Sequence, residues 1–182
     1  MGTFLFSRIT SEEGRDSRFD SIRSSPSKFA VAFFAQATWV SLCLLPVLAL
    51  NSLPGSVFTA LPAAVGLTDL LGIALYLGGI TFEATADRQK SQWAKEKREK
   101  KHNEEFLTRG LWSRSRHPNY FGECTLWTGI AVTSAGVLAS SAGLTGMGLS
   151  TGLGPTLAAL GMAGISPAFV TFLLFKVKFC RS

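Results

Sequence analysis

Cysteine is scarce in this chain and poorly spaced for chemistry. Cys43, Cys124 and Cys180 are odd in number and far apart, which excludes a disulfide framework and any familiar metal-ligand spacing. Cys43 and Cys124 sit in apolar runs and read as small core residues. A cleavable signal peptide is also missing, because no basic-then-apolar run with a small-residue cleavage site opens the chain. "MGTFLFS" starts like a myristoylation signal, but Phe6 stands where Ser or Thr is required. No internal repeat is evident. The glycine-rich "GMGLSTG" lacks a preceding strand and has the wrong spacing for a dinucleotide fingerprint.

Charge is nearly absent from four stretches: Phe29 to Leu50, Val57 to Phe82, Cys124 to Ala142 and Pro155 to Phe175. Each approaches the roughly 20 residues that cross a bilayer core. The expected fold is therefore an all-α integral membrane protein with about four transmembrane helices in a bundle. Spans are predicted near 29–50, 62–82, 120–138 and 156–176, forming a membrane domain over 29–182 behind a polar segment at 1–28. Of the 18 Lys and Arg residues, five precede Phe29, ten lie between Arg88 and Arg116, and three follow Phe175. Four crossings put all three clusters on one side, the positive-inside pattern, which places both termini and the 83–118 segment in the cytosol. The net charge of +6 thus reports topology, and no nucleic-acid partner is expected.

Pro46 is expected to end or kink the first span near its far end. Asn51, Pro54 and Gly55 predict a turn. Asp69 falls inside the second span, where an acid costs about 2.5–3.5 kcal/mol on insertion scales, so it needs a partner or the interface. From Glu83 the second helix is expected to continue out of the membrane, since 83–106 has neither Gly nor Pro, and its outer half, with almost no apolar face, is expected to be solvated. Glu96 and Lys100 stand in the favourable i, i+4 order. "SSAGLTGMGLSTGLGP" reads as a luminal loop.

Three polar groups fall at the predicted cytosolic rim. Arg15, Asp16, Arg18 and Asp20 form the first. Glu83, Asp87 and Lys90 form the second, on one helix face at i, i+4 and i+7. The third is "GLWSRSRHPNYFGE", where Pro118 suits a helix start and Asn119 and Glu123 follow at i, i+4. Arg114, Arg116 and His117 precede that helix, whose N-terminal amides favour an anion. Guanidinium groups for phosphate, an amide and carboxylates for hydroxyls, and apolar helices for a lipid suit a site where a charged cytosolic cofactor meets a hydrophobic molecule. The same residues also read as interfacial anchors, with Trp112 and Tyr120 in the aromatic belt. Glu83 and Asp87 could equally pair with Arg88 or Lys90 in water.

"GLWSRSRHPNYFGECTLWTGI" resembles the signature of the membrane reductase superfamily that includes steroid 5-alpha-reductases and sterol C14-reductases. "FEATADRQKSQW" is similar to that family's helix with an acid followed by Ala-Asp-x-Gln-Lys, and "ISPAF" to its late Ser-Pro motif. "GTFLFSR" and "GRDSRFDSIRSSPSKFAVAFFAQATWV" resemble its early segment. The resemblance implies a multi-pass protein of the endoplasmic reticulum or bacterial inner membrane that binds NADPH at its cytosolic side. It implies hydride delivery to an electron-poor carbon–carbon double bond of a steroid-like or other lipid substrate. Asn119 and Glu123 match positions on the nicotinamide side, and Asp87 an acid that holds the adenosine half. His117 and Tyr120 are neighbours, Arg114 and Arg116 are phosphate candidates, and Glu83 falls where some relatives carry an amide. No catalytic proton donor is assigned, and no metal is implied.

Relatives usually carry more helices before the point matching Met1 and a basic, aromatic tail after the Ser-Pro helix. A truncated member of the family is therefore one expectation, and with it a non-catalytic paralogue. Isoprenylcysteine methyltransferases share a similar Arg-His-Pro-x-Tyr run, so lipid methylation with S-adenosylmethionine is the other alternative.

Overall fold

The computed structural model describes residues 24–62 and 65–176, together with Thr10 and Ile22. The expected N-terminal cluster of Arg15, Asp16, Arg18 and Asp20 lies outside the described residues. Every regular element among those described is helical. In order they are α1 (Pro26–Asn51), α2 (Gly55–Ala60), α3 (Leu67–Arg98), a 3-10 turn (Gly110–Ser113), α4 (Pro118–Leu138), α5 (Ser141–Gly146) and α6 (Leu153–Lys176). The chain divides into two compact units, Met1–Ser41 and Leu42–Ser182. The first holds the start of α1, where Phe29 and Phe33 pack one turn apart with ring centroids 4.4 Å apart.

Among the described residues three helices, α1, α3 and α6, are long and apolar enough to cross a membrane. The protein is thus an all-α, multi-pass membrane protein, with three such helices in place of the four expected. The one that falls short is α4. Glu123, its threonines, Ser134 and its glycines dilute its hydropathy. It lies between α3 and α6, which shield those groups. Around it the outer faces are apolar: Leu67 is 72% exposed and Leu153 77%. Bilayer, not water, suits such a surface.

Glycine sets how closely α3 and α4 approach. Gly72 and Gly79 are seven residues apart, as are Gly122, Gly129 and Gly136. Gly72 lies against Gly129 and Thr133, Gly79 against Gly122 and Leu126, and Gly136 against Thr68. Numbers rise on one helix as they fall on the other, so the pair is antiparallel. A Cβ built on Gly79 would sit 2.5 Å from the Leu126 amide nitrogen, so only glycine allows the contact. Small residues are the usual means of bringing helix backbones together in lipid. On the other side of α4, Cys124 Sγ meets Thr171 Oγ1 of α6 at 3.4 Å. Ala159, Ala163, Ser166 and Val170 bury the facing stripe of α6. The hydroxyls of Thr81, Thr85, Thr125 and Thr128 bond to carbonyls one turn back, which satisfies them without water.

Several local expectations change. Pro46 lies buried inside α1 and does not end it. The presumed luminal loop holds a short helix, α5, capped by Ser140, whose Oγ accepts from the Gly143 amide at 3.0 Å. Leu53 and Val57 from around α2 pack there with Leu138, Leu144 and Ala159 into the one tight apolar cluster recorded among the described residues. Asp69 has its partner: it accepts from the Gly66 amide at 3.0 Å at the start of α3.

Candidate functional site

With 32 residues, α3 is about 48 Å long at 1.5 Å per residue. That exceeds a bilayer core of about 30 Å, so the end beyond Glu83 stands clear of it. Ala86 is fully buried on this stretch. Lys100 then reverses the chain with a φ of 56°, and the following segment folds back along the helix. The extension is therefore not solvated all round as expected: Trp93, Ala94 and Glu96 are partly covered.

Two fastenings hold the returning segment. In the outer one, His102 stacks on Trp93 with centroids 5.3 Å apart, and its Nε2 lies 3.2 Å from the Trp93 carbonyl. Arg109 forks between Glu104, at 2.9 Å, and Glu96, at 3.2 Å. Glu96 thus pairs with Arg109 and not with Lys100, which falls beyond the helix end. The Arg109 guanidinium holds the Glu104 carboxyl below its ordinary value. A cavity of about 160 Å³ lies beside this fork, lined by Gln92, Leu107 and Gly110 among others.

The inner fastening joins the 3-10 turn to α3. Gln89 Oε1 accepts from the Leu111 amide at 2.9 Å. The Trp112 indole donates to the Ala86 carbonyl at 3.0 Å. Lys90 lies 5.6 Å from the Trp112 ring centroid, a cation–π contact, and so it serves the turn and not Glu83 or Asp87. Gly110 has a φ of 59°, and a Cβ on it would come within 2.6 Å of the Gln89 amide. Its conformation favours glycine, and an added Cβ would push the Gln89 amide aside.

From this turn the chain enters α4. Pro118 is buried at the first helical position, where a missing N–H costs nothing. His117 occupies the cap without a side-chain cap bond, and its ring stacks on Tyr120 at 4.9 Å and 20°. His117 Nε2 and Asn119 Oδ1 are buried atoms with no partner among the described residues. Arg114 and Arg116 are exposed, with no ion pair recorded to a described residue.

Gly122 brings the two halves together. A Cβ there would lie 2.7 Å from the Glu83 amide nitrogen and 2.9 Å from its Cα. Glu123 is the next residue, and the carboxylates of Glu83, Asp87 and Glu123 all act on one another electrostatically. The Trp127 indole is directed at Glu123. Phe82 and Phe121 brace the same level edge to face at 5.3 Å. Leu77, Gly78, Thr81, Phe82 and Thr85 of α3, with Leu111 of the 3-10 turn, line a groove of about 450 Å³.

Thus Glu83, Asp87 and Glu123 are neighbours, and Asn119, Tyr120 and His117 stand in the first turns of the same helix as Glu123. Arg114 and Arg116 are exposed on the segment just before that helix, with no ion pair to a described residue. The sequence singled out neither Gln89, Gly110, Gly122 nor the Arg109 fork, and Trp112, read as an aromatic-belt anchor, instead bonds to the Ala86 carbonyl. Seven-residue glycine spacing was the available signal for Gly122, and Gln89 stood unremarked inside the Ala-Asp-x-Gln-Lys motif.

A family model described as "Protein of unknown function (DUF1295)" matches residues 1–176. No curated protein and no solved structure matches the chain.

Proposed function

The chain belongs to this DUF1295 family, and on that premise we propose that it is a membrane-bound, NADPH-dependent reductase of an activated carbon–carbon double bond in a steroid-like or other lipid. The observation that carries this reading is the docking of the α4 start, through Gly122, onto the Glu83–Asp87 face of α3. It brings carboxylates to the edge of apolar helices beside Asn119, whose buried Oδ1 has no partner among the described residues, with Arg114 and Arg116 exposed on the segment just before α4.

These residues fit the cofactor. Asn119 and Glu123 would hold its nicotinamide end, and Asp87 its adenosine-side hydroxyls. Arg114 and Arg116 supply charge for phosphates, and His117 and Tyr120 form a flat wall beside Asn119. When bound, the cofactor supplies a hydride to the electron-poor carbon. The chain's own part is to orient that end against α4 and to leave the lipid-facing side apolar for the substrate. An endoplasmic-reticulum location with cytosolic termini belongs to the same proposal. Purified protein in detergent should bind NADPH saturably, with Asn119→Ala and Glu123→Ala weakening it. Absence of saturable binding by folded protein would overturn the proposal.

One observation favours a second reading. Three neighbouring carboxylates, with no ion pair recorded to a described cation, suit a positively charged ligand. S-adenosylmethionine carries a sulfonium and an ammonium, so lipid methylation is the alternative. Saturable binding of that cofactor in place of NADPH would decide for it.

A further inference from the structure

The Ala-Asp-x-Gln-Lys run on α3 and the Gly-Leu-Trp run before α4 are separated by some twenty residues, yet they meet group by group. Ala86 offers its carbonyl to the Trp112 indole at 3.0 Å. Gln89 offers its side-chain oxygen to the Leu111 amide at 2.9 Å. Lys90 covers the Trp112 ring at 5.6 Å. Gly110 turns with a φ of 59°, directly against the Gln89 amide group. Asp87 is exposed on the same stretch and takes part in none of these contacts.

We infer that Gln89 and Gly110 are a pair of positioning residues, which dock the segment carrying Arg114, Arg116, His117 and Asn119 onto α3 and leave Asp87 free for the ligand. The physical case is local. An amide at the end of a turn must find an acceptor or water, and Gln89 supplies one from a helix already fixed by the glycine contacts. Trp112 adds a second bond across the same gap, to a carbonyl on a fully buried residue. Asn119 follows Gly110 by nine residues, so any slip of the turn moves the start of α4 relative to Glu83 and Asp87. The two motifs act as one device: α3 carries half the ligand groups and also the clasp that sets the other half.

This inference rests on the NADPH reading for its functional readout but has a second readout that does not. In full-length protein in nanodiscs, hydrogen exchange at the Leu111 amide should be slow. It should speed up in Gln89→Leu and stay slow in Gln89→Glu, which keeps an acceptor. Loss of one hydrogen bond should weaken NADPH binding by up to about tenfold in Gln89→Leu. Gly110→Ala should do the same, and the double variant should be no worse than the worse single one, because both substitutions release the same clasp. Binding by Gln89→Glu should remain near that of the unsubstituted protein. A Leu111 amide that exchanges fast in the unsubstituted protein, or stays slow in Gln89→Leu, overturns the clasp. Additive losses in the double variant, or unchanged NADPH affinity in Gln89→Leu with the amide released, overturn the positioning role. If the unsubstituted protein binds no NADPH, the reductase reading falls, and the exchange data alone still decide the clasp.

Discussion

Replacing Gly122 by Ala tests whether the helix contact that assembles the site is as close as the structure shows. The added Cβ would lie 2.7 Å from the Glu83 nitrogen and 2.9 Å from its Cα. Unstrained carbon contacts lie at about 3.5–4.0 Å, and backbone atoms cannot swing aside as a side chain can. The helices must therefore part by about an ångström, which forfeits a quarter to a half of each contact's dispersion energy. Overpacking of this kind costs about 1–3 kcal/mol. Gly→Ala also raises helix propensity by about 0.8–1.0 kcal/mol, so the comparison needs a matched control. Gly161 on α6 is exposed and has nothing within 4 Å of an added Cβ. Gly161→Ala carries the same propensity gain with no clash. In equilibrium unfolding by SDS in mixed micelles, followed by helical circular dichroism, Gly122→Ala should be less stable than Gly161→Ala by about 1–3 kcal/mol. Equal stability of the two variants would refute the close approach, and with it the argument that Gly122 sets Glu83 beside Glu123.

Other perturbations test separate parts. The Glu104 carboxyl is held below its ordinary value by Arg109, so the fork's stabilisation is complete at neutral pH. It is lost as pH falls through the folded value, which lies below 4.5. Hydrogen exchange over residues 102–110, corrected for intrinsic rates, should show protection falling only in that acid range, and Arg109→Ala should lack the protection at every pH. Protection that shows no loss anywhere on the acid side of the ordinary carboxylate range would contradict this. Ser140→Ala removes the acceptor for the Gly143 amide and should cost about 0.5–2 kcal/mol, read as a lower unfolding midpoint. A midpoint equal to that of the unsubstituted protein would show that α5 does not depend on its cap.

The apolar runs made three of the helices legible, because twenty uncharged residues admit few other structures. The Glu83–Asp87 face and the Pro118 helix start were also readable, since helical periodicity and proline chemistry act over a single turn. What escaped has a different physical origin. Gly122 and Gly79 matter for the side chain they lack, and their partners lie on another helix. Gln89 looked like one more polar residue on a solvated helix until the chain returned to meet it. The turn at Lys100 and the Arg109 fork depend on contacts that no periodicity encodes. The shortfall of α4 was missed because its span was judged by the absence of charge. Its threonines and glycines are tolerated there because neighbouring helices cover them.

The most direct test of the central claim is NADPH titration of the protein in nanodiscs, exciting indole and recording nicotinamide emission. Trp112 and Trp127 stand at the site, so bound cofactor should show saturable sensitised emission. Asn119→Ala and Glu123→Ala should weaken it, and S-adenosylmethionine should leave it unchanged. No saturable signal, a signal indifferent to both substitutions, or displacement by S-adenosylmethionine would contradict the reductase account.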